Sequence, residues 1–184
     1  MKKEIKGNMI FAPLPVLMIG TFDENGKANL MNAAWGGQVD SNVFVVSLSS
    51  HKTTDNLFLH HEFTVAFANK DTEVESDYFG IESGRKADKI EKTHFAFTKS
   101  EKVNAPVFER YPLTLECVLD HVDEEEGFYY GKVVGMVADE RVLDENGKVD
   151  FDKCQFITFD SAKNCYRIVG EKVGNAFKDG MQFK

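Results

Sequence analysis

The sequence predicts a mostly β protein, folded as an antiparallel barrel that is closed or partly closed and carries a few short helices. Three observations support this prediction. Short runs of β-branched and aromatic residues recur along the chain, tight-turn signals separate them, and long helical patterns are few. A barrel is favoured because it removes the exposed edges that such strands would otherwise present.

The length and net charge of the chain indicate the number of domains and exclude some classes of binding partner. The 184 residues suit one domain spanning 1–184, and a formal charge of −8 argues against binding to nucleic acid or to anionic membranes. No run approaches the roughly 20 apolar residues of a membrane span. The three cysteines include no C-x-x-C pair, so reduced thiols in a cytoplasmic protein are expected.

The first half of the chain reads as strands with one short helix. Residues 14–22 predict a strand, and Asn25-Gly26 predicts a hairpin to a second strand from Ala28 that ends at Gly36-Gly37. The apolar run 43–48 predicts a strand buried on both faces. A short helix is expected over 55–61, with Thr53 or Thr54 near its N-cap.

The second half continues the β pattern after a charged insertion. Residues 71–92 predict helix and loop. Further strands are expected at 63–69, 113–119, 127–143, 156–159 and 166–170, with a tight turn at Asn146-Gly147. The tail 171–184 is weakly amphipathic, and we expect it to dock on the body or on a partner.

Residues 28–56 carry the pattern that indicates chemistry. A phosphate needs free backbone N–H groups at a helix start, hydroxyls and a lysine, and the run Ser49–Thr54 supplies all three after a buried strand. Small residues at Ala33 and Ala34 would let the backbone approach the edge of a flat ring. Backbone and amide groups of Asn29, Met31 and Asn32 could address its polar rim, as in FMN.

Each of these signals also has a plain structural interpretation. The two alanines fit a tight strand crossing, Trp35 is more often a core residue, and a Ser/Thr-rich turn is first of all a helix cap. The carboxylates of 120–127 fit a solvated loop better than a metal site, and the adjacent His60 and His61 point to different faces. No Walker or G-x-G-x-x-G motif and no G-x-S-x-G elbow is present.

The ordered segments PLPVLMIGT, NGKANLMNAAW, VFVVSL, KTTDN, ESGRKADK, YYGKVVGMVADERVLDENGKVD and YRIVGEKVG resemble the flavin reductase-like family, specifically its flavoredoxin type. The resemblance implies an FMN-binding split β-barrel and a homodimer with FMN near the subunit interface. Ile90 departs from the larger apolar residue, often Phe, that the family places after its Asp-Lys pair. The cofactor-binding residues predicted are Asn29, Met31, Asn32, Ala33, Ala34, Trp35, Ser47, Leu48, Ser49, Ser50, Lys52, Thr53, Thr54, Asn56, Ser83, Gly84 and Lys89.

The resemblance implies an oxidoreductase that takes electrons from NADH or NADPH through FMN to free flavin, a metal complex or a protein acceptor. Two alternatives are an electron-transfer flavoprotein reduced by a protein donor, and a non-enzymatic flavin-binding module. The flavin performs redox chemistry itself, so no catalytic acid or base is predicted, and no metal ligand is predicted either.

Overall fold

The computed structural model describes residues 1–7 and 11–184, which form mostly strands with a few short helices, as predicted. The strands are β1 (Leu14–Pro15), β2 (Leu17–Phe22), β3 (Ala28–Ala33), β4 (Gly36–Asp40), β5 (Val43–Ser47), β6 (Glu62–Phe67), β7 (Phe97–Lys99), β8 (Pro106–Phe108), β9 (Leu113–Asp123), β10 (Phe128–Ala138), β11 (Ile157–Asp160) and β12 (Cys165–Ile168). The α-helices are α1 (Lys52–His60), α2 (Glu73–Ile81), α3 (Lys89–Thr93) and α4 (Phe151–Cys154). Short 3-10 helices lie at Lys70–Thr72, Glu140–Val142 and Asp179–Phe183.

Seven strands form one curled antiparallel sheet in the order β3-β2-β6-β9-β10-β5-β4. Strands β1, β11 and β12 form a second, three-stranded sheet, and β7 pairs with β8. The large sheet curls into a half-barrel beside the small one, which confirms the prediction of a split β-barrel. No helix among the described residues is long and apolar enough to span a membrane.

Strand β2 lies at the centre of the core because its side chains alternate between two apolar clusters. Met18 and Phe22 pack into one cluster, which is rich in aromatic rings, while Leu17 and Ile19 pack into the other. Every residue of β2 is therefore buried. The same strand places β3, its hairpin partner, at the edge of the sheet.

Both Asn-Gly turns form as predicted. The β2–β3 hairpin closes at Gly26 with φ +75°, and Gly147 turns the chain with φ +73° between the bridged residues Leu143 and Val149. A side chain other than glycine is strained at such φ values, so these turns are specified locally.

Three strand predictions need correction. Residues 14–22 form two strands, because β1 pairs with β11 in the small sheet whereas β2 pairs within the large one. Gly36-Gly37 begin β4 instead of ending a strand, because they pair with Val46 and Val45 of β5. A Cβ on Gly36 would lie 2.7 Å from the carbonyl oxygen of Val45, so this close pairing requires glycine. In β5 only Phe44 and Val46 are fully buried, so the strand is not buried on both faces within one chain.

Two observations concern the C-terminal part of the chain. Cys154 is buried in a third apolar cluster with Val142 and Phe156. The tail does not dock on the body: Val173 and Phe177 are both 99% exposed. The expected docking of the tail on a partner stays a prediction.

Candidate functional site

Two clefts flank the start of α1, and between them they contain most of the predicted cofactor residues. The first cleft, of about 510 Å³, lies between the β2–β3 hairpin, the start of α1 and the segment 84–90. The second, of about 450 Å³, lies between residues 31–35, the end of β5, α2 and the small sheet. The start of α1 therefore reaches both cavities through Lys52 and His51 respectively.

Helix α1 begins at Lys52, three residues earlier than predicted, with His51 as its N-cap. The cause is local: the hydroxyl of Thr54 accepts a hydrogen bond of 2.9 Å from the backbone N–H of His51 and so closes the first turn. Backbone N–H groups in the first turn of a helix lack intrahelical acceptors, and the helix dipole adds partial positive charge there. The polar turn is thus itself a helix start suited to an anion.

Lys52 adds a full positive charge at the same place. Its ammonium group lies 3.5 Å from Asp23 Oδ2 and 3.4 Å from Glu24 Oε2, both on the β2–β3 hairpin. Asp23 also accepts backbone hydrogen bonds from Asn25 and Lys27, and these bonds together with Lys52 hold the pKa of its carboxyl below the usual value despite the opposing effect of desolvation.

Three predicted residues of this helix have buried side chains. Thr53 Oγ1 accepts a hydrogen bond of 2.8 Å from Asn29 Nδ2, and Asn56 Nδ2 donates to Thr21 Oγ1 at 2.9 Å. The hydroxyl of Thr54 is engaged in the hydrogen bond with the backbone N–H of His51 that caps the helix. The side chains of all three residues are therefore committed to internal hydrogen bonds, and that of Asn56 supports the turn from inside.

Arg85 lines the first cleft, whereas the sequence analysis placed it only within the charged insertion 71–92. Its guanidinium donates a hydrogen bond of 3.0 Å to Ser50 Oγ, and two of its nitrogens donate to the carboxylate of Asp55. These bonds connect the segment after α2 to the start of α1. The sequence does contain a signal for Arg85, because this basic residue directly follows the predicted cofactor residues Ser83 and Gly84.

Gly84 brings that segment close to Asn29. A Cβ at this position would lie 2.3 Å from Asn29 Oδ1 and 3.4 Å from Lys52 Cβ. Ser83, which is also predicted, accepts a hydrogen bond of 3.3 Å from the backbone N–H of Arg85. One wall of the first cleft therefore brings together three of the predicted cofactor residues, Asn29, Lys52 and Gly84.

Lys89 lines the same cleft from the start of α3 and is 4% exposed. Its ammonium group donates one hydrogen bond of 2.9 Å, to the carbonyl oxygen of Phe79. Burial lowers the pKa of Lys89 to about 8, against the smaller opposing effect of Glu82. One bond leaves two of the three ammonium donors for a ligand.

The second cleft collects the remaining predicted residues: Met31, Asn32, Ala33, Ala34, Trp35, Ser47, Leu48 and Ser49. Trp35 is 63% exposed, so the interpretation of this residue as core is wrong, and its ring lies 6.4 Å from that of Phe159. Ser49 Oγ is 3.0 Å from His51 Nε2. Ser47 is exposed, whereas Leu48 and Met31 are buried in the wall.

These residues fit a flat, phosphorylated cofactor. The helix start, Ser50, Lys52 and Arg85 supply donors and positive charge for a phosphate, and glycine at 84 keeps open a space that a Cβ would fill. Among residues 1–7 and 11–184, no group of three His, Cys, Asp or Glu side chains is arranged to hold a metal ion.

Comparison with known proteins gives the family. Flavoredoxin of Desulfovibrio vulgaris (Miyazaki F) superposes with a TM-score of 0.93 at 29% identity, over 98% of this chain and 100% of that one. Flavoredoxin from Methanosarcina acetivorans gives a TM-score of 0.88 at 30% identity, over 100% of both chains. An FMN-binding domain of a flavin reductase-like enzyme from Shewanella baltica shares the fold, with a TM-score of 0.78 at 18% identity over 88% of each chain.

A search of curated proteins returned no significant match. The protein-family model of the flavin reductase-like domain matches residues 9–153, which is most of the chain. The split barrel and the two similar flavoredoxin structures agree with this match. The chain belongs to the flavin reductase-like family.

Proposed function

We propose that this protein is an FMN-binding oxidoreductase that passes electrons from NADH or NADPH through bound FMN to free flavin, a metal complex or a protein acceptor. The observation that carries the proposal is the meeting of the α1 start, Lys52 and Arg85 at a cleft that Asn29 and Gly84 also line. Membership of the flavin reductase-like family supports an oxidoreductase role, and an FMN-binding relative supports the cofactor.

The chain's residues divide into two sets in this proposal. Ser49, Ser50 and the backbone of residues 52–54 hold the phosphate, with charge from Lys52 and Arg85 and, deeper in the cleft, from Lys89. Residues Asn29–Trp35 hold the ring along β3, where the two alanines leave the backbone accessible. When bound, FMN supplies hydride acceptance and single-electron transfer, and the protein supplies binding, orientation and exclusion of water.

We also infer a homodimer with the cofactor near the subunit interface. Apolar side chains remain exposed on the sheet and on α4, namely Val39, Val134, Met136 and Phe151. Such a surface is typical of a buried interface. Light scattering should give twice the chain mass of 20.8 kDa; a monomer at micromolar concentration would contradict the inference.

The cytoplasm is the compartment we propose. All three cysteines are free thiols, and Cys117 and Cys154 are buried, as suits a reducing environment. Burial raises the pKa of both buried thiols, so neither is poised to react.

A second candidate is an electron carrier that a protein donor reduces, with little turnover of NAD(P)H. It is favoured by the likeness at 29% and 30% identity to two flavoredoxins along their entire lengths. The acidic net charge of −8 is compatible with a basic protein partner.

The decisive experiment is the visible absorption spectrum of the untagged protein before and after anaerobic addition of NADH or NADPH. Flavin bands that bleach support the reductase. Bands that persist with either nucleotide, but bleach with a reduced ferredoxin-like protein, support the electron carrier. A colourless protein that does not bind added FMN would contradict both.

A matched pair of variants tests the phosphate site. Lys52→Ala should raise the Kd for FMN by about tenfold or more, since a charge-assisted hydrogen bond contributes roughly 1.5–3 kcal/mol. Lys99→Ala, at an exposed position on β7, should leave it unchanged. Equal affinity in both variants would remove Lys52 from the phosphate site.

A further inference from the structure

An ion pair that the cofactor assignment does not use lies at the outer rim of the first cleft. Lys27 Nζ, at the end of the β2–β3 hairpin, is 2.7 Å from Oδ2 of Asp88, the N-cap of α3. Both residues line the cleft, and the Lys27 side chain is 58% exposed, whereas Lys89 is buried. The pair therefore joins two parts of the wall, the hairpin and the segment before α3, on the solvent side of the cleft.

Each partner of this pair is held in place by a further hydrogen bond. The backbone N–H of Lys27 donates to Asp23 Oδ1 at 3.0 Å, which fixes Lys27 in the hairpin turn. Asp88 Oδ1 accepts from the backbone N–H of Glu91 at 3.0 Å and so caps α3, which leaves Oδ2 for Lys27. The bond between them holds the pKa of the Asp88 carboxyl below its usual value and raises the pKa of Lys27. Both groups therefore stay charged near neutral pH.

Residues 84–88, named here the lid segment, lie between α2 and α3 and belong to no helix or strand. Their backbone bonds are local, because the N–H groups of residues 85–87 all donate to Ser83. Among the described residues, the bonds that attach the segment to α1 and to the hairpin come from the side chains of Arg85 and Asp88, near its two ends. Partly exposed ion pairs contribute little to stability, so the segment can open without loss of a helix or a strand.

The ion pair lies beyond the proposed phosphate position. The proposed ring site follows β3 from Asn29 to Trp35, and Lys27 precedes Asn29 by two residues, about 7 Å along an extended chain. Lys52 and Arg85, which are proposed for the phosphate, line the same cleft as the pair. A cofactor that leaves through the first cleft, phosphate end first, therefore passes this ion pair.

We propose that the lid segment covers the phosphate of the bound cofactor and that the Lys27–Asp88 pair holds this lid closed, so that breaking the pair is a step in cofactor release. The inference rests on the proposed function, which places the FMN phosphate in the first cleft. A closed lid retains FMN between turnovers, whereas an open cleft would exchange it with free flavin. The pair thus controls whether FMN behaves as a bound group or as an exchanging substrate.

Asp88→Asn separates the effect of the lid from that of charge alone. Asparagine keeps an oxygen that can cap α3 but removes the charge that binds Lys27. The rate constant for FMN release, measured by stopped flow with excess apoflavodoxin as the trap, should rise about two- to fivefold, the range that an exposed ion pair supports. Loss of a carboxylate near a phosphate would by itself slow the release, because it removes a repulsion. Unchanged or slower release in Asp88→Asn overturns the inference.

Two further variants test whether the effect belongs to the pair. Lys27→Met should also release FMN faster, and adding Asp88→Asn to it should give no further acceleration, because the pair is already lost. A second acceleration of the same size overturns the inference. Asp144→Asn is the matched control, since Asp144 also accepts backbone N–H bonds in a turn but lines neither cleft. Its release rate should equal that of the wild type, and an acceleration like that of Asp88→Asn would indicate a general charge effect and overturn the role of the pair.

Hydrogen–deuterium exchange of the flavin-free protein tests the lid without a cofactor. Peptides that contain residues 84–88 should exchange faster in Asp88→Asn than in the wild type, because the segment opens more often, while exchange in the buried strand β2 stays the same. Equal exchange of residues 84–88 in the two proteins overturns the lid. Failure of the wild type to bind FMN contradicts the proposed function instead, and the exchange measurement then still decides whether the pair holds the segment closed.

Discussion

The guanidinium of Arg85 and the carboxylate of Asp55 form a two-pronged ion pair beside the start of α1, with Nη2–Oδ1 at 2.8 Å and Nε–Oδ2 at 3.1 Å. Both side chains are about half exposed, so the pair contributes only about 0–1 kcal/mol to stability. Its position beside Ser50 gives it a different role, because Asp55 competes with any anion for the same guanidinium.

Opposite effects on cofactor affinity follow for the two partners. Arg85→Ala should raise the Kd for FMN by about tenfold, through loss of a charge-assisted bond. Asp55→Asn should lower the Kd by a few-fold, because it frees the guanidinium. Fluorescence titration measures both, and a weaker affinity in Asp55→Asn would contradict the competition.

Gly84→Ala should weaken FMN binding and lower the free energy of unfolding by about 1–3 kcal/mol, the usual cost of overpacking. The added Cβ would collide with Asn29 Oδ1, and the displaced amide would lose its bond to Thr53. Gly37→Ala is the control, since nothing lies within 4 Å of that position. Equal behaviour of the two variants in urea and FMN titrations would count against a tight packing role for Gly84.

The affinity for FMN should fall as pH rises through about 8. Lys89 has a pKa lowered to about 8, so it is charged below that pH and neutral above it, and only the charged form attracts a phosphate. Titrations at pH 7 and pH 9 measure the fall. Lys89→Met should bind more weakly at pH 7 and show a flatter profile, while a flat profile in the wild type would remove Lys89 from the anion site.

FMN should quench the emission of Trp35, which is the single tryptophan of the chain and is largely exposed in the second cleft. The quenching should saturate at one FMN per chain, and riboflavin should quench similarly at a higher concentration because it lacks the phosphate. Unchanged emission at saturating FMN would place the flavin ring away from Trp35.

Phe79→Ala should lower the free energy of unfolding by about 3–5 kcal/mol, because a fully buried aromatic ring leaves a cavity. Phe79 packs edge-on against Phe95, with ring centroids 5.4 Å apart. Phe177→Ala removes the same side chain from an exposed position in the tail and should change stability by less than about 0.5 kcal/mol. Urea denaturation compares the two; a large loss for Phe177→Ala would mean that the tail is packed in solution.

Strands and turns could be predicted because their signals are local. Asn25-Gly26 tolerates positive φ wherever it occurs, and apolar runs such as 63–69 favour a strand in any context. The separation of β1 from β2 could not be predicted, since it depends on pairing with β11, more than 140 residues away. The prediction at Gly36 was wrong for a similar reason, because β4 is determined by its pairing with β5 and not by the low strand propensity of glycine.

The stretch of chain that lines the two clefts was predictable, but the directions of its side chains were not. A run of Ser, Lys and Thr after a strand predicts a helix start, yet which hydroxyls face inward depends on distant partners such as Asn29 and Thr21. Arg85 was recognised only as charge on an insertion, because its contact with Ser50 spans 35 residues. Asp77 and Tyr166, which line the second cleft, carry no local signal, since they meet across 89 residues.

The carboxylate of Asp23 makes two kinds of contact. Its Oδ1 stabilises the hairpin turn by accepting hydrogen bonds from the N–H groups of Asn25 and Lys27, while its Oδ2 faces Lys52. A loop exchange that installs a generic two-residue turn would keep the strands paired but delete this counter-charge. Because Asp23 also lines the first cleft, protein engineers who treat the β2–β3 connection as a neutral insertion point would change the charge of the proposed cofactor site.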